Sequence, residues 1–245
     1  MADTPWCGDG TNGSRLYLQS GQFSATLKTS LDVNSIDSGS RDCAYDGTNT
    51  PWFGTEENKM YLQSGQFSST IKTSQIETAT GTVDPFGISY DGTNTPWSGD
   101  GGTPKLFLQS GQFSATLKTS RDVSGIDTSP NGISYDGGSE WTPWCGAVND
   151  KLYIQSGQFS ATLKTSTSII AIDGNVRGLS WDGSNTPWVG ADADKLYLQS
   201  GQFSATLKTS LDVSTIEEQM HGIDTNNFNG RMGIIDPFIP TVNVL

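Results

Sequence analysis

Tryptophan is the residue of this sequence whose type and spacing best suit ligand binding. Five of its seven tryptophans stand in Thr-Pro-Trp triplets at nearly constant intervals: Trp6, Trp52, Trp97, Trp144 and Trp188. An indole face can stack on a sugar ring while its N–H orients the ligand. These residues are therefore candidates for repeated carbohydrate sites. Core packing between structural units is the alternative interpretation.

A second set of aromatic residues recurs with the same period, and each member is followed by Asp-Gly. Its residues are Tyr45, Tyr90, Tyr135 and Trp181, which are also candidate ligand-binding residues with core packing as the alternative. Asp-Gly is ordinary turn chemistry. Because the ligand spacing of a calcium loop is missing around these pairs, no metal site and no cofactor are predicted.

Residues for catalysis are few. The chain has one histidine, His221, and three cysteines, Cys7, Cys43 and Cys145. Cys7 and Cys145 occupy a repeat position at which other units carry different side chains, and a nucleophile would not vary in this way. An enzyme breaks repeat symmetry with clustered ionisable groups, whereas the visible breaks here are short loop changes. We therefore predict no catalytic residue and a protein that is not an enzyme.

Charge and hydropathy exclude two classes of partner. The formal net charge is −12, whereas nucleic-acid binding needs a basic surface. The same charge argues against an anionic membrane surface, and no apolar run of about 18 residues is present to insert into a bilayer. The N-terminus shows neither the basic nor the apolar region of a signal peptide. No nucleic-acid binding and no membrane insertion are predicted.

The elements that position the aromatic residues come from an internal repeat. The segment Gln-Ser-Gly-Gln-Phe begins at residues 19, 63, 109, 155 and 199, in steps of 44, 46, 46 and 44. A period of about 45 residues is typical of propeller blades and of some helical repeats. No stretch keeps a helical apolar period over ten residues, so helical repeats are excluded.

Local patterns within one repeat predict four short strands. "GISY", "TPWSG", "KLFLQ" and "SATLKTS" are separated by the turn sequences "DGTN", "DGGTP" and "SGQ". Alternating, aromatic-rich runs bounded by Gly, Asn and Asp are typical of antiparallel strands. The fold class is therefore all-β: a five-bladed β-propeller of four-stranded antiparallel blades.

The ends of the chain predict how the ring closes. The first repeat lacks its "GISYDG" strand, and Gly222-Ile223 lies one period of 44 residues after Gly178. Residues 1–230 are thus predicted to form one propeller, closed by pairing of the N- and C-terminal segments, with 217–230 in the last blade. This closure removes two open sheet edges. The alternative is that the tail "IDPFIPTVNVL" (235–245) supplies the closing strand.

One known family shares this pattern. The stretches "GISYDGTNTPW" (87–97), "KLFLQSGQFSATLKTSRDVSGID" (105–127) and "LDVSTI" (211–216) resemble β-propeller repeats of bacteriophage and marine bacterial surface proteins. Thr-Pro-Trp departs from that pattern, in which the second strand is aliphatic. The resemblance implies a propeller on a phage tail or a cell surface, and it implies no catalytic residue.

The expected function follows from the resemblance and the tail. We expect a non-enzymatic structural, adaptor or receptor-facing component of a larger particle, most plausibly a phage virion, made in the host cytoplasm. Otherwise the protein is soluble, cytoplasmic or released. Residues 231–245 form an apolar tail, predicted to dock on other virion or surface proteins through Ile234, Ile235, Phe238, Ile239, Val242, Val244 and Leu245. The alternative is a soluble multivalent lectin whose partners are glycans.

Overall fold

A computed structural model gives the fold of the chain. It describes residues 3–225 except positions 11, 22, 46–47, 66, 77–83, 92, 100–103, 112–115, 136–140, 158, 183, 202 and 205. The described chain forms five separate four-stranded antiparallel sheets. No helix long and apolar enough to cross a membrane is found in these ranges.

Each sheet is one blade, and its strands run from the centre of the ring outwards. The innermost strands are β4 (Ser40–Cys43), β8 (Pro85–Ile88), β12 (Pro130–Ile133), β16 (Val176–Leu179) and β20 (Met220–Ile223). The second strands are β1 (Thr4–Gly8), β5 (Thr50–Gly54), β9 (Thr95–Gly99), β13 (Trp141–Gly146) and β17 (Thr186–Gly190). Each second strand carries one Thr-Pro-Trp triplet.

The outer half of each blade is a hairpin. The third strands are β2 (Arg15–Gln19), β6 (Lys59–Gln63), β10 (Lys105–Gln109), β14 (Lys151–Ser156) and β18 (Lys195–Gln199). The outermost strands are β3 (Leu27–Asp32), β7 (Ile71–Ile76), β11 (Leu117–Asp122), β15 (Leu163–Ser168) and β19 (Leu207–Asp212). The four strands predicted for each repeat are thus present, which confirms the predicted fold class.

The two ends of the chain pair to close the ring, as predicted. In one blade β20 pairs with β1, placing Ile223 opposite Trp6 and Gly222 opposite Cys7. This register equals that of the preceding blade, in which Leu179 lies opposite Trp188. Each innermost strand also packs against those of its two neighbours. The boundary at residue 230 and the alternative closing segment 235–245 lie outside the described residues.

A buried carboxylate ties four of the loops between blades to the blade that follows. It lies three residues before an innermost strand. It accepts a hydrogen bond from the hydroxyl of a tyrosine on the third strand of the same blade. The pairs are Asp37 with Tyr61 (3.3 Å), Asp127 with Tyr153 (3.1 Å), Asp173 with Tyr197 (2.8 Å) and Glu217 with Tyr17 (2.9 Å). Burial is the first cause that raises the pKa of each tyrosine. We call this pair the carboxylate–tyrosine latch.

The blade formed by β8, β9, β10 and β11 lacks both latch groups in its sequence. Phe107 occupies the tyrosine position, and Thr82 stands three residues before β8, where the other blades have an acid. Since a buried hydroxyl without a partner costs about 1–3 kcal/mol, loss of the acid and loss of the hydroxyl belong together.

Candidate functional site

The five Thr-Pro-Trp tryptophans lie in the core. Trp6, Trp52, Trp97, Trp144 and Trp188 are each 0% exposed. Each indole stacks on the aromatic ring opposite it on the third strand, with ring centroids 4.0–4.4 Å apart. Both faces are covered by protein, so the interpretation as sugar platforms does not fit this structure. Core packing does.

The second aromatic set lies in a different environment. Tyr45, Tyr90, Tyr135 and Trp181 follow the innermost strands by two residues and are half-buried. They surround one end of the central axis. At the fifth position of this ring stands Thr225, whose hydroxyl donates to the Trp181 carbonyl at 3.1 Å. Of the predicted ligand-binding residues, these four keep accessible surface.

The remaining predicted groups are either buried or outside the described residues. Cys7, Cys43 and Cys145 are free thiols with 0% exposure. Burial raises the pKa of Cys43 and of Cys145 well above the usual value, which disfavours the nucleophilic thiolate. All seven predicted docking residues of the tail lie outside the described residues. In the described ranges, no group of three or more His, Cys, Asp and Glu side chains is placed to hold a metal ion.

The structure reveals a cluster of residues that sequence reasoning missed. Every innermost strand carries a β-bulge at its second residue, where the register with the second strand shifts by one. A bulge leaves one residue unpaired and redirects its side chain. The five bulge residues are Arg41, Phe86, Asn131, Arg177 and His221. All five differ in volume or charge from their neighbours in the ring, although the blades around them repeat almost verbatim.

The bulge residues occupy the same position on the five innermost strands around the central axis, a place that we call the axial mouth. Arg41 Nη1 lies 3.2 Å from both ring nitrogens of His221, and the Arg41 guanidinium lies 6.0 Å from the Phe86 ring centroid. Asn131 Nδ2 donates to the Val176 carbonyl at 3.0 Å. Arg41 therefore contacts the bulge residue on either side of it, so these side chains converge rather than spread over the disc.

An acidic residue from a loop completes the axial mouth. Asp9 follows β1, and its carboxylate oxygen lies 2.6 Å from Nε2 of His221. With a proton on Nε2, the imidazole donates to Asp9 while Nδ1 accepts from Arg41. One neutral tautomer satisfies both contacts.

The charges of the axial mouth shift one another's titration. Burial lowers the pKa of His221, the Asp9 contact opposes this, and the charges of Arg41 and Arg177 lower it further. Burial acts to raise the pKa of Asp9, but the hydrogen bond from His221 and the nearby positive charges hold it below its usual value. These shifts favour the neutral form of His221 and the charged form of Asp9.

Beneath the axial mouth the axis is closed by backbone. The third residue of the innermost strand is glycine in four blades, and it is Asp42 in the blade that begins with β4. A Cβ on Gly178 would lie 2.7 Å from the Gly222 Cα, so only glycine permits this approach. A Cβ on Gly222 would overlap the Asp42 side chain. The centre therefore has room for one side chain only.

Asp42 fills that space. Its carboxyl oxygens accept hydrogen bonds from the Cys43 and Ile88 N–H groups, both at 2.8 Å. Burial raises the pKa of Asp42 well above its usual value, which favours the neutral form. The axis is therefore blocked by a satisfied, buried carboxyl group.

The signal for the axial mouth was present in the sequence. Aligning "SRDC", "PFGI", "PNGI", "VRGL" and "MHGI" shows a nearly constant third position beside a second position that varies from Arg to Phe. This variation lies inside a strand, whereas the visible breaks of the repeat are changes in loops. The bulge that makes it meaningful depends on the ring geometry.

Comparison with known proteins supports the fold alone. No protein-family model and no curated protein matches the chain. A chain in a crystal structure of a nidogen/laminin complex is 12% identical with a TM-score of 0.63, covering 92% of this chain and 98% of that one. At such identity, the similarity shows how the backbone is arranged and carries no residue role.

Two further solved structures are similar at comparable distance. Glutaminyl cyclase from Myxococcus xanthus is 13% identical with a TM-score of 0.53, covering 80% of this chain and 81% of that chain. A protein of unknown function from Bacteroides caccae is 10% identical with a TM-score of 0.53, covering 89% and 75%. The chain thus has the architecture of a five-bladed propeller, a fold that supports many functions.

Proposed function

We propose that this protein is a non-enzymatic structural or receptor-facing module of a larger particle, such as a phage virion. The observation that carries the proposal is the repeated outer rim of the ring. The first residue of every outermost strand is a large apolar side chain that is 37–40% exposed: Leu27, Ile71, Leu117, Leu163 and Leu207. Five equivalent apolar contacts around a ring suit multivalent attachment, in which weak contacts add.

The backbone of the same rim adds to the argument. Each outermost strand is the edge of its sheet, with exposed residues at all but one position. Such an edge can pair with a strand of a partner. A lysine follows each apolar residue and protects the edge from indiscriminate pairing. A particle component needs this combination of available edges and restrained self-association.

The buried state of possible catalytic groups also favours binding over catalysis. The three thiols are inaccessible, and His221 is held between Arg41 and Asp9. No serine or threonine hydroxyl is hydrogen-bonded to His221 in the described part of the chain. Without such a contact the arrangement lacks an activated nucleophile.

The first experiment tests membership of a particle. Particles purified from a culture that produces the protein should contain the chain at stoichiometric copy number, measured by quantitative mass spectrometry. A variant with all five rim residues changed to threonine should keep the fold by circular dichroism and be depleted from the particles. Exclusive recovery of the wild-type chain from the particle-free fraction would contradict the proposal.

The tail is proposed as a second contact with partner proteins. A chain that ends after Gly230 should fold normally and incorporate less efficiently. Unchanged incorporation would remove the tail from the proposal and leave the rim as the contact surface.

The lectin function is the second candidate, and one observation favours it. The half-buried ring of Tyr45, Tyr90, Tyr135 and Trp181 presents aromatic surface at one end of the axis. A glycan array probed with the wild-type chain should show selective binding that is lost in Trp181→Ala. Absence of glycan binding by a well-folded ring would exclude this function under the conditions of the array.

A further inference from the structure

The two arginines of the axial mouth are not held in close ion pairs. Within the described residues, neither Arg41 nor Arg177 forms an ion pair with a carboxylate within 4.0 Å. The Nε atoms of both are buried and have no hydrogen-bond partner there. A buried N–H of a charged group without a partner is costly, so both guanidiniums have unused binding capacity.

The nearest acid is already engaged. Asp9 pairs with His221 at 2.6 Å, and Arg41 donates one of its N–H groups to the same imidazole. Arg177 makes no hydrogen bond through its guanidinium to any described residue. Burial is the first cause that lowers the pKa of Arg177, the charge of Arg41 acts in the same direction, and Asp9 and Asp192 act against them.

These two arginines stand out because the protein as a whole is acidic. The net charge is −12, yet two of its five arginines occupy the bulges on either side of His221 at the centre of the ring. Two guanidiniums placed on one partly desolvated rim form a geometry suited to an oxyanion, since each offers a planar fork of N–H donors.

The geometry points to a binding site for one oxyanion in the axial mouth, held between Arg41 and Arg177. The ligand group is a phosphate, a sulfate or a carboxylate. Phe86 gives the site an apolar side and His221 a neutral one, while the glycines and Asp42 close its floor. This inference goes beyond the proposed particle role and does not depend on it.

The charges that oppose binding are also identified. Asp9 faces the same mouth, and Asp192 lies close enough to act on the charge of Arg177. Asp42 lies below, with both oxygens bonded to backbone N–H groups. The charges of Asp9 and Asp192 lower the affinity, so a weak site for a free ion is expected.

The test is a titration of the full chain with inorganic phosphate, with sulfate and with succinate. Binding is measured by isothermal calorimetry and by the change in melting temperature. Ligand that binds only the folded state raises the melting temperature with a saturable dependence on concentration. Saturation by at least one of the three probes is expected. Preference for phosphate and sulfate indicates a tetrahedral group, and preference for succinate indicates a carboxylate.

Matched variants localise the response. Arg177→Gln and Arg41→Gln should each weaken binding at least about tenfold, because each removes one charged fork. Arg121→Gln is the control: its Nε is likewise buried without a partner, but it lies on the outermost strand β11. If glutamine unfolds the ring, Arg177→Lys keeps the charge, loses the fork, and should still bind several-fold more weakly.

Two results would overturn the inference. One is the absence of a saturable response to all three probes by the folded wild-type chain. The other is an equal response in wild type, Arg177→Gln and Arg121→Gln, which would indicate nonspecific salt stabilisation. The particle experiment measures incorporation into particles, whereas this titration measures ligand binding at the axial mouth. Either proposal can therefore fail while the other stands.

Discussion

The role of a single side chain in this ring depends on how deeply it is buried. Trp97 and Trp181 have the same chemistry, yet Trp97 is 0% exposed and stacks on Phe107 at 4.0 Å, whereas Trp181 is half-buried at the axis. A buried indole contributes its full transfer free energy and its stacking contact. The indole of Trp181, at the end of the closed axis, keeps part of its surface accessible.

Trp97→Ala should therefore cost about 3–5 kcal/mol of unfolding free energy. Urea denaturation followed by circular dichroism measures this cost. Trp181→Ala is the matched control and should cost clearly less. Equal losses in the two variants would show that burial does not separate the two aromatic sets.

The carboxyl of Asp224 should make stability depend on pH. It accepts hydrogen bonds from Ser180 Oγ and Tyr45 N, both at 2.7 Å, and burial raises its pKa to about 6. The folded state thus holds a proton that the unfolded state, with a pKa of about 3.9, releases earlier. The contribution is complete below pH 4 and is lost as the pH rises through 6, by about 2–3 kcal/mol.

Asp224→Asn cannot ionise and should flatten this slope. The measurement is the difference in unfolding free energy between wild type and variant from pH 4 to pH 7. Asp212→Asn is the control, since hydrogen bonds from Ser214 lower the pKa of Asp212 and its effect is confined to lower pH. A wild-type slope that survives in Asp224→Asn would assign the titration to another group.

At the level of elements, the latch fixes four of the connections to the blade that follows. Asp127 accepts from Tyr153 Oη at 3.1 Å, and also from the Ser129 and Asn149 N–H groups at 3.0 and 3.2 Å. One carboxylate thereby ties an interblade loop, a hairpin turn and a third strand together. Such shared bonds make neighbouring blades unfold cooperatively.

Tyr153→Phe should destabilise the protein by about 1.5–3 kcal/mol, the range for a hydrogen bond to a charged group. In a double-mutant cycle with Asp127→Asn, the coupling energy should exceed about 0.5 kcal/mol. Phe107→Tyr, in the blade without an acid, is the reverse test and should destabilise rather than stabilise. Additive effects in the cycle would show that the hydroxyl and the carboxylate act independently.

The elements also show what could be read from the sequence and what could not. Strands were predictable because alternation and turn residues are local properties, and five copies repeat the message. The burial of Trp97 was not, since alternation assigns it to a face without saying which face a neighbouring blade covers. The axial mouth was hidden for a similar reason: Arg41 and His221 are 180 positions apart, and only ring closure brings them together.

At the level of the whole molecule, closure decides whether the ring has free edges. Five blades share one architecture, but the blade made from both ends depends on Met220–Ile223. This strand covers the inner edge of β1, and its Met220 and Ile223 pack with Trp6 and Val189 in one core cluster. Its loss would expose that cluster together with an unpaired strand edge.

A chain that ends after Ser214 should therefore lose cooperative folding and aggregate. It lacks β20, the latch acid Glu217 that binds Tyr17 Oη at 2.9 Å, and the His221 of the axial mouth. Static light scattering and thermal denaturation would report the change.

A chain that ends after Gly230 is the matched control, since it retains every described strand and should melt like the full chain. The comparison separates the closing strand from the apolar tail. A monomeric Ser214 chain with the stability of wild type would mean that the open ring is held by its interblade contacts alone. Unfolding of the Gly230 chain would instead assign part of the closure to residues 231–245.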